Sequence, residues 1–219
     1  MDHPGSVVLD PASIRAALRR LEAAGAHVFG ADGHRFALNP PLSGSDAAAF
    51  ERQHGIALPG DYRGFLTGLA NGGAGPCYGV FPLGYMNAST GDGVEPWGDS
   101  VGRLAEPFAL REAWNDLTGY PEDADGPDGN DEAYGRQLDA FYERYWAPSL
   151  MNGAIPICHE GCALQIWLVV SGDEAGHLWH DWRADYRGLS PVTLKDGTRA
   201  TFSAWYLAWL DAALAAAGV

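Results

Sequence analysis

The hydrophobic residues near the start of the chain recur at helical spacing. Ile14, Leu18 and Leu21 fall on one face of an α-helix. Asp10-Pro11 precedes them, and Asp accepts hydrogen bonds from free helical N–H groups while Pro suits the first helical position. Gly25 is a natural helix end. The pattern therefore predicts an amphipathic helix that begins at residue 11 and ends before Gly25.

The next stretch predicts a hairpin followed by a short helix. Apolar residues flank the turn at residues 31–33, so residues 26–38 are expected to form a β-hairpin. Ser45 is then expected to cap a helix that contains Phe50 and ends near Gly55.

A second apolar stripe at helical spacing follows Leu58-Pro59. It predicts another helix that ends at the turn of residues 71–73, with its inward side chains at Tyr62, Phe65, Leu66 and Leu69. Residues 78–83 then read as a buried strand.

Residues 84–150 are the least regular part of the chain. We expect a loop over residues 90–100, a helix over 106–115, an acidic loop over 121–132 and a helix over 133–146. This stretch is interpreted as an insertion within one domain that spans residues 1–219.

The last third changes to strand patterns separated by glycine-rich turns. Strands are predicted at residues 154–159, 163–170 and 177–183, and a final helix at residues 203–216 with Ser203 as its cap. No helical pattern separates the strands, so they are expected to pair in antiparallel fashion. The chain as a whole is therefore expected to be α+β, with a mainly antiparallel sheet flanked by helices.

Two segments carry motifs whose order can be compared with known families. The first runs from Leu58-Pro59 through Tyr62 and Phe65-Leu66 to Asn71-Gly72-Gly73. The second contains these residues in order: Ile155-Pro156-Ile157, Gly161-Cys162, Trp167-Leu168-Val169-Val170, Gly172, Gly176, Trp179, Asp181, Phe202 and Trp205. Together they resemble the SUKH superfamily, which includes the fungal Smi/Knr cell-wall-synthesis regulators. The resemblance departs at Ala163, where a further Gly is frequent, and in the length of residues 84–150.

Charge narrows the range of partners. The formal net charge is −14 at pH 7, which opposes binding to nucleic-acid phosphates and to anionic lipid and favours a basic partner. Residues 101–150 carry 11 acidic and 4 basic residues, a net charge of −7 and half of the total. The start of the chain does not read as a secretory signal, and no stretch is long and apolar enough to cross a membrane. We therefore expect a cytoplasmic protein whose cysteines are free thiols.

Several residue clusters invite a chemical interpretation, and each has a simpler alternative. A zinc site could draw on Cys158, His159, Cys162, His177 and His180. However, His177 and His180 should point to opposite faces of a strand, so we expect no bound metal. Cys162 with His159 could form a nucleophile and base, but no catalytic signature surrounds them. The acidic loop lacks the ligand spacing of an EF-hand. We expect neither a cofactor nor enzymatic activity.

The resemblance implies a function in protein binding. Many bacterial SUKH proteins are implied to be immunity proteins that neutralise a cognate toxin, often a nuclease, and an acidic inhibitor suits a basic nuclease site. The alternatives are a regulatory adaptor in cell-wall or signalling control and, third, an enzyme with chemistry around Cys162. Acidic and aromatic residues of the insertion are the expected partner contacts. These residues are Glu95, Trp97, Asp99, Glu122, Asp123, Asp125, Asp128, Asp131 and Glu132.

Overall fold

A computed structural model describes residues 9–88, 93–121 and 132–219 of the chain. The described residues form helices and antiparallel sheets, so the expected α+β class is confirmed. The helices are α1 (Pro11–Ala23), α2 (Ala31–His34), α3 (Gly44–His54), α4 (Gly60–Gly64), α5 (Glu132–Tyr145) and α6 (Phe202–Ala217). The strands are β1 (Tyr85–Asn87), β2 (Val94–Pro96), β3 (Ala154–Gly161), β4 (Leu164–Val169), β5 (Leu178–Asp181) and β6 (Leu189–Pro191).

Helix α1 forms as its sequence predicts. The Asp10 carboxylate accepts hydrogen bonds from the N–H groups of Ala12 and Ser13, each at 3.2 Å. These bonds satisfy two of the donors that a helix start leaves free. The apolar stripe is buried in the core at Ile14, Leu18 and Leu21.

The hairpin expected at residues 26–38 is wrong, because residues 31–34 form the short helix α2. Gly30 precedes it with a φ of +76°, and a Cβ atom at this position would lie 2.1 Å from the carbonyl oxygen of Cys77. The chain therefore turns tightly against residue 77 instead of continuing as a strand. Leu38 pairs with Gly73 in an isolated bridge rather than with a hairpin partner.

Helices α3 and α4 are close to expectation, with one change of cap. Ser43 rather than Ser45 caps α3, since its hydroxyl accepts from Asp46 N at 3.0 Å. The end of α3 at Gly55 is confirmed. Helix α4 continues as a π-helical turn over Phe65–Leu69, and the whole expected stripe of Tyr62, Phe65, Leu66 and Leu69 is buried.

Residues 78–83 do not form the expected strand. Val80 makes only isolated antiparallel bridges with Gly73 and Cys158. The backbone reverses at Cys77 and Gly79, whose φ angles are +52° and +96°. A regular ladder cannot extend through residues in that region, so the segment crosses beside β3 as an extended chain.

The main sheet has the order β3-β4-β5-β6, and all its pairs are antiparallel. The three predicted strands are confirmed, while β6 was not predicted. Alternate residues of the strands point to opposite faces. On the first face, Ile155, Ile157, Ile166, Leu168 and Leu178 join α1, α4 and α6 in the larger core.

The second face of the sheet carries a separate aromatic core. Trp167 and Trp179 lie directly opposite each other on β4 and β5, and their exposed fractions are 3% and 0%. As cross-strand neighbours, the two rings belong to one buried cluster. Phe108, Met151 and Leu189 complete this core.

The helix expected over residues 106–115 is wrong, because this segment is irregular and covers the second face. Its backbone groups bond to the sheet instead of to one another: Phe108 N donates to Ser171 O at 2.9 Å, and Trp114 exchanges two hydrogen bonds with Leu189. Gly188 permits the approach, since a Cβ atom there would lie 2.0 Å from Trp114 O.

Two further expectations about local structure are corrected. The hairpin of β1 and β2 occupies part of the region expected to be a loop. Helix α6 begins one residue before Ser203 and is capped by Thr201, whose hydroxyl accepts from Ala204 N at 3.4 Å. Its buried face, with Phe202 and Tyr206, packs on the larger core. Within the described residues, no helix has the length and apolarity needed to cross a membrane.

Candidate protein-binding surface

Helix α5 packs through its aromatic side on residues 114–120, next to the segment that covers the second face of the sheet. Phe141 and Tyr145 are fully buried. The ring of Tyr145 stacks on Trp114 with centroids 5.4 Å apart, and its hydroxyl donates to Asn115 Oδ1 at 2.7 Å. An aromatic ring and a directed hydrogen bond fix the helix in rotation and position. The helix is therefore a rigid platform.

A buried arginine holds the end of α5. Arg183 donates from Nε and Nη2 to the carboxylate of Asp181, at 2.8 and 2.6 Å. Its Nη1 donates to the carbonyl of Tyr145 at 3.1 Å. The same guanidinium lies 4.7 Å from the ring of Trp146. A planar guanidinium can make these contacts at once, so Arg183 both ends the helix and positions Trp146.

The outward side of α5 carries acidic residues beside an exposed tryptophan. Positions 132, 139 and 143 share one side of the helix, because spacings of seven and four residues return to the same face. Trp146 directly follows α5 and continues that side, since its N–H donates to Tyr142 O at 2.9 Å. We call this set the outer stripe, and it consists of Glu132, Asp139, Glu143 and Trp146. All four are exposed, and 40% of Trp146 is accessible to solvent.

The charge of the outer stripe is only partly neutralised. Glu132 pairs with Arg136 at 3.3 Å, and both side chains are largely exposed. Asp139 and Glu143 form no ion pair within the described parts of the chain. Carboxylates one helical turn apart repel each other by a few tenths of a kcal/mol. A cation from a partner would relieve this repulsion, while Trp146 offers an apolar anchor.

The predicted partner contacts at residues 95–99 lie in β2 and in the turn that follows it, not on α5. Glu95 is half-buried in β2 opposite Met86. Trp97 is one of the expected partner contacts, and it is half-buried: its ring packs 5.9 Å from that of Phe50 at the larger core. Asp99 is exposed in a short 3₁₀ turn. Trp97 is thus a cover for the core, and a binding role for its acidic neighbours stays a prediction.

The other predicted contacts belong to α5 or precede it. Glu132 begins the helix and is exposed. Five predicted residues lie outside the described ranges: Glu122, Asp123, Asp125, Asp128 and Asp131. They directly precede the outer stripe in the chain, so their role in binding stays a prediction.

Sequence reasoning missed Asp139, Glu143 and Trp146 as surface residues. The signal was present, since these positions and Glu132 repeat at the spacing of one helical face. The aromatic residues of the same helix indicated only its buried side. The exposure of Trp146 could not be read from its type, because Trp is usually a buried or half-buried residue.

The residues considered for metal binding are dispersed. Cys158 is buried in β3, whereas Cys162 is exposed at the tip between β3 and β4. His180 Nδ1 lies 3.0 Å from Glu160 Oε2, and His177 lies 3.5 Å from Glu174. Across residues 9–88, 93–121 and 132–219, no three His, Cys, Asp or Glu side chains are grouped so as to hold a metal ion.

His159 and Cys162 do not form a catalytic pair in the described structure. The ring of His159 lies against Tyr78, with centroids 5.4 Å apart, and burial lowers the pKa of this histidine. No hydrogen bond joins it to Cys162 in the described regions. The contacts of His159 are those of a packed side chain.

No protein-family model, no curated protein and no solved structure matches this chain. The resemblance to the SUKH superfamily therefore rests on the residues quoted above. The outer stripe has to be judged by its own geometry and charge.

Proposed function

We propose that this protein is a non-enzymatic binding module whose outer stripe on α5 takes up a basic protein domain. One observation carries the proposal: Trp146 is exposed beside Asp139 and Glu143, on a helix held in place from its buried side. An exposed aromatic anchor beside unpaired charges is typical of protein interfaces. The rigid platform reduces the ordering cost of binding.

The charge of the chain defines the kind of partner. With a formal net charge of −14 at pH 7, half of it in residues 101–150, the protein attracts basic surfaces over distances of about one Debye length, roughly 8–10 Å at physiological salt. Such steering raises association rates. A basic protein domain fits this field, whereas a nucleic acid would be repelled.

The partner we propose is a bacterial toxin domain, and the function is immunity against it. The resemblance to the SUKH superfamily supports this step, since many bacterial members are implied to neutralise toxins that are often nucleases. A nuclease site is basic because it binds phosphates. An acidic helix with a tryptophan anchor can occupy such a site and exclude the substrate.

A growth assay tests the proposal directly. Toxin domains encoded beside the gene for this chain are expressed in cells with and without the protein. The wild-type protein should restore growth. The variant Asp139→Lys/Glu143→Lys and the variant Trp146→Ala should protect less, because each removes one component of the outer stripe. Reversal of Asp123, Asp125 and Asp128 should also weaken protection.

A matched control separates the surface from net charge. Glu22 and Asp211 are exposed on α1 and α6, so Glu22→Lys/Asp211→Lys makes the same change in charge elsewhere. It should protect like the wild type. Failure of the wild-type protein to protect against any neighbouring toxin would contradict immunity. An equal loss of protection in Glu22→Lys/Asp211→Lys and in Asp139→Lys/Glu143→Lys would contradict the assignment of the binding surface to the outer stripe.

A further inference from the structure

Two cysteines from distant parts of the chain meet beside β3. Cys158 is fully buried, and its Sγ lies 3.3 Å from the carbonyl oxygen of Pro76. Cys77 follows Pro76 directly, and Tyr78 N donates to His159 O at 3.3 Å, so the two cysteines lie on neighbouring stretches of chain. The bridge between Val80 and Cys158 holds the crossing segment in place. Both cysteines are free thiols, so the structure places two unjoined thiols on adjoining segments of chain.

The two thiols differ in access and backbone conformation. Cys77 is partly exposed, whereas Cys158 is not. Cys77 also has a φ of +52°, which is uncommon for a residue other than glycine and is concentrated at functional sites. The turn at Cys77 therefore places a partly exposed thiol beside the segment that carries Cys158.

The environments of the two thiols shift their pKa values in opposite directions. The hydrogen bond from Cys158 lowers the pKa of Cys77, and burial raises the pKa of Cys158. Thiolates are the nucleophiles of cysteine chemistry, and exposed thiols with a low pKa are the first to be oxidised. Cys77 is therefore the residue that meets an oxidant, and Cys158 is the neighbour that can resolve the product.

We propose that Cys77 and Cys158 form an oxidisable pair that a small peroxide converts to an intramolecular disulfide. The Cys77 thiolate attacks one peroxide oxygen, the O–O bond breaks and hydroxide leaves, which yields a sulfenic acid. The Cys158 thiol then attacks the sulfenic sulfur: the S–S bond forms, the S–O bond breaks and the hydroxyl leaves as water with the Cys158 proton. The hydroxide takes up the Cys77 proton. The peroxide gains the two electrons that the thiols lose and ends as two waters.

The disulfide would tie the turn around residue 78 to β3. Tyr78 is 46% exposed and contacts Phe29, which is 64% exposed, so the turn carries an aromatic surface. A bond between residues 77 and 158 closes a long loop and restricts the unfolded chain. Oxidation should therefore raise the melting temperature. This inference is independent of the proposed partner of α5.

The experiment uses the variant Cys162→Ser, which removes the exposed third thiol. The folded protein is treated with hydrogen peroxide, the remaining thiols are counted under denaturing conditions, and peptides are mapped by mass spectrometry. We expect the variant to lose both thiols and to yield a linked peptide pair containing Cys77 and Cys158. Its melting temperature should exceed that of the reduced form.

Two matched variants test the order of the steps. In Cys158→Ala/Cys162→Ser, the oxidation should stop at a Cys77 sulfenic acid that dimedone traps. In Cys77→Ser/Cys162→Ser, the Cys158 thiol should persist, because it is buried. Circular dichroism before treatment confirms that each variant is folded. Oxidation of Cys77 to a sulfinic acid beside an intact Cys158 thiol in the Cys162→Ser variant would overturn the proposal, as would an oxidised form that melts no higher than the reduced form.

Discussion

The two faces of the main sheet are built in different ways. The first face meets helices whose stripes repeat locally in the sequence, such as Tyr62 to Leu69 in α4 and the turn that follows it. The second face meets residues from two separate stretches of chain: Phe108 and Trp114 from one, and Leu150 and Met151 from the other. Local periodicity thus accounts for one core, whereas long-range pairing produces the other.

The faces also differ in polarity. The second face contains the buried pair of Asp181 and Arg183 and a hydrogen bond between the hydroxyls of Tyr142 and Tyr186 at 2.8 Å. The first face is mostly apolar, with His34 at its margin. Buried polar groups specify one arrangement because any other leaves them unpaired. The irregular segment is therefore ordered by directed bonds, and this order fixes the position of α5.

The largest expected effect comes from opening the aromatic core. Trp179 is fully buried, and its ring lies 4.9 Å from that of Phe108. Trp179→Ala should reduce the free energy of unfolding by about 3–5 kcal/mol, as large-to-small core changes do. Trp146→Ala, at an exposed site, should cost about 1 kcal/mol or less. Urea denaturation measures both, and an unchanged midpoint for Trp179→Ala would show that the second face is not a core.

The second largest loss of stability is expected from breaking the buried ion pair of Asp181 and Arg183. Arg183→Met leaves Asp181 buried without its guanidinium, although the backbone N–H of residue 183 still donates at 3.2 Å. The expected loss is about 3 kcal/mol, at the lower end for broken buried pairs. Chemical denaturation gives the value. The variant Arg136→Met breaks the exposed pair with Glu132 and serves as the control. If Arg183→Met lowers the free energy of unfolding by no more than this control, Arg183 does not fix α5.

Lowering the pH should reduce the stability of the fold through His34, which lies at the margin of the first face. Burial lowers the pKa of His34, whose Nδ1 accepts from Phe36 N at 3.1 Å. The unfolded chain has an ordinary histidine pKa of about 6.5 and so binds more protons than the folded protein below that pH. Stability is therefore present above about pH 6.5 and falls as the pH decreases, by at most about 1.4 kcal/mol per pH unit for each such histidine.

The variant His34→Gln tests this dependence. Its stability should fall less steeply than that of the wild type between about pH 7.5 and pH 5.5, where histidines titrate. Urea midpoints at both pH values measure the difference. Some dependence should persist, because burial also lowers the pKa of His54 and His159. If the urea midpoint changes equally with pH in the variant and in the wild type, His34 does not contribute to the pH dependence of stability.

The smallest expected effect concerns the tyrosine hydroxyls on the second face. Hydrogen bonds to Tyr120 and Tyr142 raise the pKa of Tyr186. Tyr142→Phe removes one hydroxyl and should cost about 1 kcal/mol, the usual value for one hydrogen bond. Thermal and urea unfolding measure it. A cost above that of Arg183→Met would show that the hydroxyl cluster, and not the ion pair, orders this face.

The sequence predicted the elements whose causes are local. Asp10 caps α1, Gly55 ends α3, and the strand patterns of residues 163–170 and 177–183 form β4 and β5. Each depends on a few neighbouring residues. The α+β class follows from these elements together.

The sequence failed where distant backbone decided the structure. Residues 106–115 have the composition of a helix, yet Phe108 and Trp114 bond to Ser171 and Leu189, far along the chain. Gly30 ends the expected hairpin because residue 77 leaves no room for a side chain. The candidate surface was only partly predictable: the spacing of its acidic residues is in the sequence, but the contact of the Trp146 ring with Arg183 joins distant parts of the chain.

Binding kinetics with a neighbouring toxin domain measure whether the outer stripe of α5 is the binding surface. At low salt, Asp139→Lys/Glu143→Lys should slow association and flatten its salt dependence, because exposed charges act through steering. Trp146→Ala should speed dissociation, as loss of an anchor does. Glu22→Lys/Asp211→Lys should match the wild type closely. If both stripe variants bind with wild-type association and dissociation rates, the outer stripe of α5 is not the binding surface.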